Sequence, residues 1–139
     1  MEAATDTTKI RLENDNLRKR CEDMGVVLSL AASIADKRHH DGEGFLGLVL
    51  REVSETGLKD VLVLTRGICF FCEDHPQRVV GLIHEVANYS DFSESIDPYG
   101  EHEMGVFEWY GRKCFWKVDF QGGHDGINRI LTILFAEEY

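Results

Sequence analysis

Apolar positions recur at Ile10, Leu12, Leu17 and Cys21. They form a thin stripe that predicts a helix over residues 10–23, with the preceding threonines as N-cap candidates and Gly25 as a stop. Residues 1–8 show no such stripe and are expected to form a disordered leader. Residues 26–37 (VVLSLAASIADK) are more apolar and predict a second, largely buried helix. Residues 37–44 (KRHHDGEG) form a polar loop, whose adjacent His39 and His40 are read as solvated. Residues 45–56 (FLGLVLREVSET) fit an amphipathic helix or a long strand, and the helix is preferred, with Gly57 at its C-terminal stop. The β-branched run from Asp60 predicts a strand near residues 60–68. Apolar residues at 79, 80, 82, 83 and 86 then place one face on a helix over residues 76–89, with Pro76 early in it and His84 beside the face.

The clearest period of two lies in residues 104–120. Taking Tyr110 and Gly111 as a two-residue turn pairs Trp109 with Arg112, Glu108 with Lys113 and Phe107 with Cys114. Alternation then sends Phe107, Trp109, Cys114, Trp116, Val118 and Phe120 to the core. Met104, Val106, Glu108, Lys113, Phe115, Lys117 and Asp119 fall on the other face, and the extended register brings His102 near Asp119. Residues 129–139 (RILTILFAEEY) are apolar on both faces until Glu137, as in a central strand, and a buried helix is the alternative. These elements predict an α+β fold in one domain, residues 1–139. A small antiparallel sheet (the strand near 60–68, the hairpin 104–120 and the C-terminal strand) packs against N-terminal and central helices.

Charge changes this picture most. The chain of 139 residues carries a net charge of −10. Residues 1–40 balance at seven basic and seven acidic, so the excess falls on residues 41–139, with eight basic and eighteen acidic. From Asp91 to Glu108 there are six acids and no Lys or Arg. Such a field repels nucleic acid, which argues against direct DNA or RNA binding, and it attracts basic surfaces. There is no signal-peptide pattern and no apolar run near the roughly 18 residues a membrane helix needs, so a cytoplasmic protein without membrane contact is expected.

Four cysteines, Cys21, Cys69, Cys72 and Cys114, are expected to be reduced. Cys69 and Cys72 with His75 have the spacing of half a zinc site, but no second close pair completes it. Buried, inert thiols are preferred to a metal or redox role. The polar loop at residues 97–105 (DPYGEHEMG) opens into the hairpin and gathers the versatile side chains. One reading makes it a docking surface built from Asp91, Glu94, Asp97, Tyr99, Glu101, Glu103, Glu108, Phe115 and Lys117, with aromatic anchors that also include Trp109. The other makes it a metal or enzyme site, with His102, Glu103 and Asp119 as ligands, His124 near them, or His102 as a base oriented by Asp119. No complete catalytic motif is present and no cofactor is expected, so the non-catalytic reading is preferred. Asp97 to Gly100 is also a natural β-turn, with Asp first and Pro second.

These segments resemble a bacterial family known only as a domain of unknown function, found in proteobacterial genomes, plasmids and phages. The resemblance rests on NDNLR at residues 14–18, VLTRG at 63–67, DPYGEHEMG at 97–105, FWKVDF at 115–120 and RILTILFAEEY at 129–139. The chain departs from the family pattern by about thirty extra residues, a helical insertion over roughly 26–57, and by having cysteines at 69 and 72. The resemblance implies no activity. It implies a mobile-element setting, in which a small acidic protein binds and inhibits a host machine. The expected partner is the basic surface of a CRISPR effector or another defence nuclease, and a homodimer through the extra helical segment is a further option.

Overall fold

In a computed structural model, residues 2–36, 45–49 and 57–139 are described, with residues 2–5 and 45–49 described by their backbone alone. The elements are α1 (Glu2–Arg20), α2 (Met24–Ala35), β1 (Phe45–Val49), β2 (Lys59–Thr65), α3 (Arg66–Cys72), α4 (Arg78–Ala87), β3 (Met104–Trp109), β4 (Arg112–Phe120) and β5 (Ile127–Phe135). Short 3-10 turns lie on either side of β5, at His124–Gly126 and Ala136–Glu138. The fold is α+β, as the periodicities imply.

Helix α1 starts at Glu2, so most of the stretch expected as a leader is helical. A nucleated helix extends at little cost through residues of middling propensity such as the threonines. Its last turn carries Arg18, Lys19 and Arg20, which suit the negative end of the helix dipole. Helix α2 is capped by Asp23, whose carboxylate accepts from the Gly25 N–H at 2.9 Å, and it buries Val27, Leu30 and Ile34. Residues 45–49, expected to be helical, form the edge strand β1. The FLGLV run suits either period, and antiparallel pairing with β2, Val49 opposite Val61, decides it. In its described residues the extra segment is therefore part helix and part strand. His39 and His40 lie outside the described residues.

The strand near 60–68 ends at Thr65, and the chain turns directly into α3. The sheet order is β1-β2-β5-β4-β3. It is mixed rather than wholly antiparallel, because β2 and β5 run parallel. The long excursion through α3, α4 and the hairpin lets the chain return in the same direction. The strand β5 is central, as its two apolar faces require, and not a helix. Hairpin pairing follows the two-residue turn, with Trp109 opposite Arg112 and Met104 opposite Lys117. Tyr110 and Gly111 both have positive φ, 54° and 71°, the twist that joins two strands most tightly.

The inner sheet face presents Leu62, Leu64, Trp109, Cys114, Trp116, Val118, Leu131, Ile133 and Phe135, which form one core cluster with residues of all four helices. Phe120, expected in this core, is 66% exposed because β4 runs past the helices there, and Arg129 covers it from 5.0 Å. Ion pairs tie α1 to the sheet: Arg20 to buried Asp60, and Arg129 to Glu13 at 2.8 Å. Asp60 also accepts from Asn128 at 3.0 Å and from the Arg129 N–H at 3.2 Å, beside the irregularity where β2 meets β5. The C-terminal Glu138 carboxylate accepts from the Thr65 hydroxyl and the Gly67 N–H, both at 2.7 Å, and fastens the start of α3. No helix among the described residues is long and apolar enough to cross a membrane.

Candidate functional site

The acidic turn is assembled from the backbone outward. The Gly100 N–H donates to the Asp97 carbonyl at 3.2 Å, closing the four-residue turn. The Asp97 carboxylate is buried and accepts from the Glu101 and His102 N–H groups at 3.0 and 3.1 Å. Asp97 therefore holds the loop instead of facing a ligand. His102 follows with φ 53°, which lifts its side chain off the line of the hairpin. The ladder stops one residue later, where the Val118 N–H donates to the Glu103 carbonyl at 2.8 Å.

His102 meets α1, not β4. Its Nδ1 lies 2.8 Å from Asp15 Oδ1, its Nε2 lies 3.8 Å from Asp97 Oδ2, and its ring stacks on Phe92 at 3.6 Å. Asp119, the expected partner, pairs instead with Lys117 at 3.4 Å. The base-and-orienter pairing of His102 with Asp119 is not formed, because the positive φ and the end of the ladder separate them. His102, Glu103 and Asp119 do not converge, and no group of three His, Cys, Asp or Glu among the described residues could hold a metal ion. His124 is exposed and lies 3.4 Å from its neighbour Asp125.

One face of α1 grips the turn. Arg11, Asn14, Asp15 and Arg18 share that face by helical spacing. Arg11 reaches the Gly100 carbonyl at 3.5 Å, and Asn14 donates to the Glu101 carbonyl at 3.0 Å. Arg18 is the keystone. Its guanidinium donates to Asp15 Oδ1 at 2.6 Å and to the Val86 and Tyr89 carbonyls at 2.8 and 3.3 Å, at the end of α4. It also lies 4.6 Å over the Trp116 ring and 5.5 Å from Phe92. Sequence reasoning assigned none of these four residues to the site. The available signal was NDNLR at residues 14–18, polar groups at helical spacing in an otherwise apolar stripe.

The nine expected docking residues separate into two surfaces. Asp91, Glu94, Tyr99 and Glu103 are exposed around the turn, Glu101 is half-buried beside them, and Asp97 is spent on the backbone. Glu108, Phe115 and Lys117 lie on the outer sheet face, away from the helices, where Glu108 opposes Lys113 and Phe115 meets Tyr139 at 5.5 Å. Trp109 points the other way and is buried in the core. Partial desolvation of this otherwise exposed side chain first, then the charges of Glu101, Asp97 and Asp119, raise the Glu103 carboxyl above its ordinary value.

The CxxC lies in α3 with both thiols buried, and His75 is exposed beyond the helix. Cys69 donates to the Leu64 carbonyl at 3.6 Å, and all four cysteines are free. Desolvation pushes Cys21 up to about 12 and Cys72 and Cys114 to about 11. A thiol this far from ionising is a poor nucleophile at neutral pH. The native chain is expected to react slowly with a disulfide reagent at pH 8 and to release four thiols at once in denaturant; fast native reaction would overturn this. The raised values fix the sign of the alkaline response. Their stabilisation is complete below the ordinary 9.0 and is lost as pH climbs through 11 and 12, so denaturation midpoints should fall above about pH 9.

Comparison with known proteins bears on the half of the molecule that holds this turn. Residues 64–128 match the family described as a protein of unknown function, DUF3768. The matched segment runs from the end of β2 through α3, α4, the acidic turn and both hairpin strands, and it leaves α1 outside. No curated protein and no solved structure matches the chain.

Proposed function

We propose that the protein is a small, acidic, non-catalytic interaction protein of a mobile element. Its acidic turn docks on the basic nucleic-acid groove of a host machine in the cytoplasm, a CRISPR effector or another defence nuclease, and inhibits it. The observation that carries this reading is the acidic surface around the turn, where Asp91, Glu94 and Glu103 are exposed, Glu101 is half-buried beside them, and no Lys or Arg lies between Asp91 and Glu108. A field of that sign attracts a cationic surface and steers its approach. The turn does not need to be ordered on binding, because Asp97 and the α1 face already hold it, which lowers the entropic cost of association. Tyr99, 74% exposed at the apex, supplies an aromatic anchor. A general-base role for His102 is disfavoured, because both ring nitrogens face carboxylates of its own chain.

The test is competition between this protein and target DNA for a purified effector or defence nuclease of its host. Wild-type protein should displace DNA, and raising salt from roughly 50 to 200 mM should weaken it. The double variant Glu101→Lys, Glu103→Lys should lose about tenfold or more in association rate. Inhibition indifferent to salt and to the double variant would sink the proposal, as would a host panel in which no such enzyme is affected.

A further inference from the structure

The seam between the acidic turn and α1 holds acceptors that lack donors. Asp97 Oδ1 is taken up by the Glu101 and His102 N–H groups. Its Oδ2 accepts no hydrogen bond from any described residue, although the side chain is only 4% exposed. Opposite it, 3.8 Å away, stands His102 Nε2. A carboxylate oxygen can only accept, so the contact with Asp15 Oδ1 places the ring hydrogen on Nδ1, and Nε2 of the neutral ring is an acceptor too. Buried Asn14 adds a third: its Oδ1 has no partner, while its amide nitrogen donates to the Glu101 carbonyl. Buried polar atoms are seldom left unpaired. The cations of α1 that reach the seam are committed elsewhere, Arg18 to Asp15 and to the Val86 and Tyr89 carbonyls, and Arg11 to the Gly100 carbonyl.

We propose that the gap seats a primary ammonium group, which donates to His102 Nε2 and Asp97 Oδ2 at once. Two acceptors 3.8 Å apart leave room for one nitrogen about 2.8 Å from each. An ammonium carries its N–H groups on one small tetrahedral atom and can aim two of them at converging acceptors. The N–H groups of a guanidinium lie in a flat, rigid fork shaped for the two oxygens of a single carboxylate. The partly exposed His102 ring opens the gap to solvent, and its stacking on Phe92 at 3.6 Å fixes where Nε2 points. No Lys or Arg lies between Asp91 and Glu108, so the turn brings no ammonium of its own. Where the acidic turn docks as proposed above, the group is the head of a lysine on the partner's basic surface. That last step rests on the docking reading; the ammonium site does not.

Titration of the isotopically labelled full chain with Nα-acetyl-lysine methylamide at constant ionic strength tests this, read by nuclear magnetic resonance at the His102 ring nitrogens. The lysine analogue should give a saturable shift at Nε2. The norleucine analogue, the same length of chain without the ammonium, should give none, and the arginine analogue should bind about fivefold or more weakly. Asp97→Asn keeps an oxygen for the two amides but turns an amino group toward the ring, and should weaken the lysine analogue by about fivefold or more. Glu94→Gln removes a charge from the same surface and should leave its binding within about twofold. No shift with the lysine analogue overturns the proposal, and so do equal affinities for the lysine and arginine analogues or equal losses in the two variants. The three analogues on wild-type protein decide the matter even where Asp97→Asn fails to fold. No host enzyme takes part, so failure here leaves the docking reading to its own test, and failed inhibition of an enzyme leaves the ammonium site standing.

Discussion

Replacing Arg18 with alanine is expected to destabilise the fold by about 3–5 kcal/mol, the cost of breaking a buried charge pair from one side. Arg18 is 2% exposed, so nothing in solvent replaces what it does. Its loss removes the cationic partner of Asp15 and takes the guanidinium donor from the Val86 and Tyr89 carbonyls. It also opens a void under the Trp116 and Phe92 rings. Small domains are stable by only about 5–15 kcal/mol, so this single change takes a large share. The conservative variants divide the effect. Arg18→Met keeps the alkyl packing without the charge, and Arg18→Lys keeps the charge without the fork that serves three acceptors at once. Both should fall between wild type and alanine in urea denaturation. Removing both partners, as in Asp15→Asn with Arg18→Met, should recover part of the loss, because no unpaired carboxylate remains. The acidic turn should loosen together with the fold, seen as faster hydrogen exchange at the Glu101 and His102 amides. A loss under about 1 kcal/mol with unchanged exchange would show that the turn stands without Arg18.

The hairpin could be read residue by residue from the chain because a two-residue turn fixes register, and register fixes which side chains face inward. Helix α4 was legible for a similar reason, since Val79, Leu82, Ile83 and Val86 repeat on one side of a short segment. Residues 45–49 were not, because an edge strand is decided by a neighbour distant in sequence rather than by its own period. The site was half legible. Composition located the acidic turn, but the grip on it spans 87 residues of sequence, from Asp15 to His102 and from Asn14 to Glu101. The sign of φ at His102, on which that contact depends, leaves no mark in a pattern of apolar and polar positions. Outer and inner faces of the hairpin could be told apart, yet that the described helices all pack on the inner one only becomes visible once the strand order is known.

The second large effect is expected at a residue with no side chain. Gly105 is buried in β3 directly opposite Trp116. A Cβ built on it would lie 2.1 Å from Trp116 Nε1, 2.5 Å from Cε2 and 2.8 Å from Tyr89 Cε2. None of these atoms is the loose end of a flexible chain. The indole is wholly buried, with Arg18 over its face and Tyr89 and Phe92 against it edge-on at 5.5 and 6.1 Å. Displacing it displaces Arg18 and everything Arg18 holds. Displacing Tyr89 instead costs the hydrogen bond its hydroxyl accepts from the Val106 N–H at 3.1 Å, which covers part of the open edge of β3. Gly105→Ala should therefore sit at or beyond the upper end of overpacking penalties, about 3 kcal/mol, although alanine suits a strand no worse than glycine. A strand-propensity effect and a steric one separate cleanly in a double-mutant cycle. Trp116→Leu alone is costly through the cavity it leaves, but on that background Gly105→Ala should cost far less than in the wild type, a coupling of about 1–3 kcal/mol. Additive costs would mean that the glycine is not there to admit the indole. The fit of the indole against Gly105 would then have no part in holding the acidic turn against α1.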